Sequence, residues 1–322
     1  MDNLIYSLNC TMPIFLVMVA GYFLRIGGML SEEFIKVANK LNFNITLPCM
    51  LLLNMMECDI RHTFDGKYVL YCAGSTIICI LVIWIGAKIF LKDKSLVGEF
   101  VQGSYRGSAA ILGIALVTNI SGNAGMSSLM MLGSVPLYNI FAVIVLTFEE
   151  AGHYNGDKQE NTHKYHNIKK AFVGICKNPI IISILGGMLL SYMNFRLPGI
   201  PYKTVSSIGS LTTPLALLAI GAGFEGKKAI RKIKSTIMAT VIKLVIQPAV
   251  FLPVAVALDF GTDKLVAALI MLGAPTTATS YIMSKNMGHE GVLSASIVVM
   301  TTLLSAFTIT AWVFVLKTLN LI

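Results

Sequence analysis

Ten apolar runs, each near the length needed to cross a bilayer, constrain this chain more than any other feature. A spanning helix needs about 20 mostly apolar residues. The first half holds Ile5–Leu24, Leu41–Met56, Tyr68–Leu91, Leu96–Thr118 and Ser127–Phe148. The second half holds Asn178–Tyr192, Thr204–Phe224, Thr236–Leu258, Lys264–Ser284 and Val292–Leu316. Leu41–Met56 and Asn178–Tyr192 are the shortest. The first run reads as a span rather than a cleavable signal, because it lacks a basic start and a small-residue cleavage pattern. Only 13% of the 322 residues are charged, against about 25% in soluble domains. The chain is therefore read as an all-α polytopic membrane protein with ten transmembrane helices.

The charges that remain set its orientation. The net charge is +9, but the basic residues sit in short loops between apolar runs, which speaks against nucleic acid as a partner. Seventeen Lys and Arg fall on the side of the loop after the first run, and six on the other. Arg106 and Lys243 fall inside the runs. The richer side is expected to be cytoplasmic. Both termini are then outside, and the polar loop of residues 150–171 is cytoplasmic. It divides a first five-helix unit, residues 1–149, from a second, residues 172–322.

The two units align with each other. An offset of 166 residues takes Pro13 to Pro179, Gly21 to Gly187, Pro48 to Pro214 and Gly107 to Gly273. It also takes Leu51-Leu52 to Leu217-Leu218. Five spans are an odd number, so the second copy must be inverted across the membrane. Inverted repeats are typical of secondary transporters, whose sites lie near the midplane at discontinuous helices.

Two runs carry such breaks. The fourth reads Gln102-Gly103-Ser104-Tyr105-Arg106-Gly107-Ser108, and the ninth Gly273-Ala274-Pro275-Thr276-Thr277-Ala278-Thr279. Proline removes a backbone donor, and glycine lowers the cost of leaving helical geometry. In lipid the freed groups need protein or water, and the hydroxyls can serve. Arg106 lies near mid-depth, where an Arg costs about 2.5–3.5 kcal/mol on insertion scales. No carboxylate stands at its depth, and Glu99 is the nearest case. Two readings stay open: contact with an anion, aided by half-helix N-termini, or bonds to the broken helix's own carbonyls. The candidate binding residues are Arg106, Ser104, Gly107, Ser108, Gly273, Pro275, Thr276 and Thr277. Asn139 and Asn44 flank them. Lys243 receives no role. The missing acid lowers the case for proton coupling by a carboxylate relay, and sodium on neutral oxygens stays open.

Other chemistries find no support. The six cysteines form no C-x-x-C pair, and His153, His163 and His166 lack companion ligands, so no metal or cofactor is expected. His289-Glu290 is not followed by the second His of a zinc-protease motif. There is no Walker A sequence. An enzyme is not expected, and a facilitative pore or a membrane sensor remain the alternatives to a carrier.

These residues resemble the auxin efflux carrier family, which includes the plant PIN-FORMED carriers and many bacterial transporters. The likeness rests on Gln102 to Arg106, Leu112-Gly113-Ile114, Pro136-Leu137-Tyr138-Asn139, Ala274 to Ala278, and Thr301 to Ser305. The short central loop looks like a prokaryotic member. The resemblance implies inverted five-helix repeats with crossed, broken fourth and ninth helices. It implies a scaffold of helices 1, 2, 6 and 7, often dimerising, beside a mobile transport domain of helices 3–5 and 8–10. It implies elevator-like carriage of small organic anions, auxin in plants and carboxylates such as malate in bacteria. Two departures separate this chain from the pattern: Ser108 stands where the family often has Asn, and Ala115 where it often has Pro.

Overall fold

The computed structural model describes residues 2–57, 65–108, 125–154 and 177–322, and their regular structure is helical throughout. The second half of the fourth run, Ala115, and most of the central loop with His163 and His166 lie outside the described residues. The first unit contains α1 (Asp2–Ile26), α2 (Glu32–Leu41), α3 (Leu47–Met56), α4 (Gly66–Phe90), α5 (Val97–Tyr105) and α6 (Gly125–Tyr154). The second contains α7 (Pro179–Tyr192), α8 (Gly199–Ser210), α9 (Thr212–Ala222), α10 (Gly226–Arg231) and α11 (Ile233–Val241). It continues with α12 (Gln247–Ala257), α13 (Thr262–Gly273), α14 (Thr279–Asn286) and α15 (Val292–Thr318). Five helical stretches are long and apolar enough to cross a membrane: 66–90, 129–149, 199–222, 233–257 and 292–318. The chain is a multi-pass membrane protein.

Polar residues set the helix ends. Ser31 Oγ accepts the Phe34 N–H at 3.0 Å, and Glu32 and Glu33 follow in the first turn of α2. Asn178 Oδ1 accepts the Ile180 N–H at 2.9 Å, with Pro179 pre-set for the first position of α7. Asp65 starts α4 by accepting the Tyr68 N–H and pairs with Lys264. Lys264 and that N–H hold its carboxyl below the usual range. The second run is longer than expected. α2 joins α3 through a π turn at Asn42–Thr46, and the backbone stays helical across both junctions. The two glutamates and two lysines of α2 make it read as loop, yet Ile35, Ala38 and Asn39 are buried along one face. A second π turn, Ile242–Ile246, joins α11 to α12. Each π turn lies just before a proline, Pro48 or Pro248. Proline supplies no N–H to an α-helical ladder, and the wider turn absorbs the loss.

Two kinds of packing recur among the helices. In the first, backbones touch. α1 lies on α9, and α3 lies on α7. A Cβ on Gly21 would come within 2.4 Å of Leu218 O, and one on Gly187 within 2.5 Å of Leu52 O. Gly21 with Gly187, and Leu52 with Leu218, are the pairs that share the offset of 166 residues. Gly221 against Met18 and Gly209 against Met50 extend this close packing. In the second kind, side chains bond to a neighbouring helix's backbone. Tyr71 Oη donates to Phe251 O at 2.8 Å, Tyr68 Oη to Lys264 O at 3.0 Å, and Trp312 Nε1 to Leu244 O at 3.0 Å. These ties join α4, α11–α13 and α15.

Where α1, α2 and α9 meet α14 and α15, the contact is mostly apolar. Met18, Ile35 and Ile220 pack with Tyr281, Ile282 and Val298. Asn39 is a polar contact there: its carbonyl accepts Asn286 Nδ2 at 3.0 Å.

The glycine contacts are directly testable. A Cβ at Gly221 would sit 1.8 Å from the Met18 carbonyl oxygen, whereas one at Gly74 meets nothing within 4 Å. Overpacking of this kind costs about 1–3 kcal/mol. Gly221→Ala is expected to lower the thermal unfolding midpoint in detergent, and Gly74→Ala to leave it in place. Equal midpoints would show that α1 and α9 part without cost.

Candidate functional site

α5 and α13 both stop inside the protein. Arg106 ends α5 with an extended ψ of 122°, and Ala274 ends α13 with a ψ of 149°. Pro275 explains the second stop, since it disfavours a helical conformation at the preceding residue. Past these ends the two segments meet and exchange bonds. Ser108 N–H donates to Pro275 O at 2.8 Å, and Thr276 Oγ1 donates to Gly103 O at 2.7 Å. Thr276 N–H is taken by Thr301 Oγ1 at 3.1 Å. Gly107 is needed by close approach: a Cβ there would lie 3.0 Å from Met271 O and 3.2 Å from Lys243 Nζ.

Lys243 is fully buried in the second π turn. Its ammonium donates to Leu272 O at 2.7 Å, Met271 O at 3.2 Å and Gln247 Oε1 at 3.2 Å. It thus caps carbonyls at the C-terminus of α13 with a hydrogen-bond donor. Gln247 passes the tie on, donating from Nε2 to Ser104 O at 2.7 Å. Sequence reasoning left Lys243 without a role. The available signal was its place one turn before Gln247-Pro248, where a proline loosens the ladder.

Arg106 is 3% exposed. Nη2 donates to Asn139 Oδ1, and Nη1 reaches Met283 Sδ at 2.8 Å. Asn139 is itself anchored through Nδ2 to Val135 O at 2.9 Å. A guanidinium has five donors, and these two partners are neutral. Among the described residues no carboxylate pairs with it. Glu99 is committed elsewhere, accepting the Gly291 and Ser294 N–H groups at 2.8 Å each, at the start of α15.

Beside Arg106 lies a cavity of about 40 Å³, room for about one or two waters. Of the expected residues, Arg106, Gly107, Ser108, Asn139 and Thr277 line it. Ser104, Gly273, Pro275 and Thr276 are absent from that lining; Pro275 and Thr276 bond to the Gly103–Ser108 segment, and Ser104 O is taken by Gln247. Asn44 is apart from both: it is exposed, and its Nδ2 donates to Lys40 O at 2.9 Å within its own helix. Asn54 and Tyr138 line the cavity and were missed by sequence reasoning. Asn54 reads as a single polar residue in a leucine-rich run. It and Met50 come from α3, so the cavity lies between α3, α6 and the end of α5.

A multi-pass helical protein with a buried cation that has only neutral partners, beside a cavity at a helix end, fits the class of membrane transporters. The comparison with known families is specific: residues 7–313 match the model described as membrane transport protein. The chain belongs to that family, the auxin efflux carrier family. It is 23% identical to an uncharacterized transporter of Methanocaldococcus jannaschii, over 96% of this chain and 98% of the relative. It is 21% identical to the uncharacterized transporter YfdV of Escherichia coli K12, over 87% and 88%. It is 22% identical to a Rhizobium meliloti protein named "Putative malonate transporter", over 85% and 84%.

The capping role of Lys243 predicts a stability effect. Lys243→Met removes the donor and leaves the Leu272 carbonyl buried without it. An unsatisfied buried polar group costs about 1–3 kcal/mol. The unfolding midpoint in detergent is expected to fall, with a smaller fall for Lys243→Gln, which keeps a donor. A midpoint unchanged in both variants would remove Lys243 from the frame.

Proposed function

We propose that this protein is a secondary carrier of small organic anions, and that Arg106 binds the substrate carboxylate. The observation that carries this reading is the buried guanidinium with two neutral partners, beside a cavity between α3, α6 and the end of α5. An anion bound there would use the open donors and lower the cost of burying the charge. The name of the Rhizobium relative supports a short carboxylate as substrate class.

The proposed architecture is ten spans in two inverted repeats. The reciprocal glycine contacts at one constant offset support it. The proposed motion is an elevator. Helices 1, 2, 6 and 7 (α1–α3 and α7–α9) form the scaffold. Helices 3–5 and 8–10 (α4–α6 and α11–α15) carry the site. The mainly apolar contact between these groups supports a sliding interface. The cytoplasm lies on the lysine-rich side, the scaffold forms a homodimer, and any coupling ion, proton or sodium, binds without a mid-depth carboxylate.

Counterflow in liposomes tests the substrate assignment. Purified protein would be loaded with unlabelled malonate, then offered labelled malonate, malate, indole-3-acetate or a neutral amino acid. Saturable uptake of a carboxylate is expected. A charge-assisted hydrogen bond is worth about 1.5–3 kcal/mol, so Arg106→Ala should weaken apparent affinity by about 10- to 150-fold. Arg106→Lys should recover part, because the planar fork is lost. Equal affinity in all three proteins would remove Arg106 from the site.

The motion has its own test. Asn39→Cys and Asn286→Cys, in a background without other cysteines, would be joined by a short reducible cross-linker. Joining them ties the groups together and is expected to stop counterflow until reductant is added. Full transport while cross-linked would rule out sliding at this interface.

A further inference from the structure

Away from the substrate site, a groove of about 390 Å³ opens between the α10–α11 segment and α15. Ile230 and Ile233 form one wall, and Val299, Leu303 and Leu304 the other. Ile230 is 72% exposed and Leu304 43% exposed. The polar groups in the lining are already used: Thr236 Oγ1 donates to Lys232 O, and Ser296 Oγ to Val292 O. The groove therefore offers hydrocarbon contact and nothing to a polar solute.

Its end is strongly basic. Within α10 and the start of α11 stand Lys227, Lys228, Arg231, Lys232 and Lys234. Lys228 and Lys232 pair with Glu290, and Lys228 also with Glu225. Lys227, Arg231 and Lys234 have no acidic partner among the described residues, and all three are exposed. Three cations without an acidic partner among the described residues thus stand on the segment that walls an apolar groove in a membrane-spanning protein. A soluble anion would satisfy the cations and leave the groove empty. A neutral acyl chain would fill the groove and leave the cations unpaired. An amphiphile with an anionic head satisfies both.

We propose that this groove is a binding site for an anionic phospholipid. One acyl chain lies between Ile233 and Leu303, and the phosphate is held by Lys227, Arg231 and Lys234. Basic residues beside a membrane surface attract anionic headgroups, and buried chain length adds apolar contact. The proposal does not depend on the transported solute. The groove touches α15 on one side and, through Phe224, the end of α9 on the other.

The test titrates the purified full chain in detergent with dioleoyl phosphatidylglycerol or dioleoyl phosphatidylcholine. Bound lipid is counted by native mass spectrometry, and the unfolding midpoint is followed. Phosphatidylglycerol is expected to bind and raise the midpoint, and phosphatidylcholine to do neither. The surface variant Lys227→Gln/Arg231→Gln/Lys234→Gln should weaken phosphatidylglycerol binding by about tenfold or more. Val299→Trp, which fills the groove, should weaken it while keeping every charge. A control on the opposite side, Lys203→Gln with Lys317→Gln, should leave binding unchanged. Equal binding of the two lipids would overturn the proposal, as would unchanged binding in the triple variant, whose exposed substitutions leave folding intact. Cross-linking of two copies through Ile230→Cys and Leu304→Cys, with lipid absent, would show the groove to be an interface between copies and would also overturn it.

Discussion

Two helices that end in the middle of a membrane protein leave donors and acceptors that lipid cannot satisfy. The rest of this structure depends on how those groups are paired. The crossing chains pair some with each other, through Ser108 to Pro275 and Thr276 to Gly103. Side chains from outside the crossing take others. Lys243 covers Met271 and Leu272, Gln247 covers Ser104, and Thr301 covers Thr276. The frame thus needs α12 and α15 as much as the broken helices themselves. This is why a π turn before Pro248 matters far from any cavity: it places Lys243 and Gln247 one turn apart, facing the ends of two broken helices.

That arrangement separates the roles of the two buried cations. Lys243 points at three oxygens, two of them carbonyls at a helix C-terminus. Arg106 has an amide oxygen and a thioether. A thioether is a weak acceptor, so the guanidinium keeps donors to spare. The difference follows from position. Lys243 approaches from the side of a finished helix end, whereas Arg106 is itself the residue at which α5 stops, beside Asn139 and the open cavity.

Much of this was legible in the sequence, because membrane crossing imposes length. The apolar runs pointed to a helical membrane protein, and the glycine and proline positions pointed to the helix ends at Arg106 and Ala274. Arg106 stood out because a charge at mid-depth has few cheap explanations. The remainder was hidden for physical reasons. α2 carries charges on its exposed face, so its buried stripe of Ile35, Ala38 and Asn39 is masked in a count of apolar residues. Asn44 looked like a partner of the break by its depth, but the π turn at Asn42–Thr46 leaves it on the outside of its helix, bonded to Lys40. Asn54 shows the converse. One polar residue among leucines gives no pattern, and only packing brings α3 to the crossing.

The helix contacts differ in the type of bond they use. Glycine contacts such as Gly21 on Leu218 O bring backbones together over a stretch where a Cβ would collide. Such surfaces fit in one register. Hydrogen bonds to specific carbonyls, as from Tyr71 and Trp312, also fix one register. Where α1, α2 and α9 meet α14 and α15, neither device dominates. Met18, Ile35 and Ile220 meet Tyr281, Ile282 and Val298 through apolar contact, which loses little when one side chain is exchanged for another of similar shape. The bond from Asn286 to Asn39 adds one polar tie across that seam. Lys243, Gln247 and Thr301 hold the ends of α5 and α13 through bonds that involve none of α1, α2, α3 or α9.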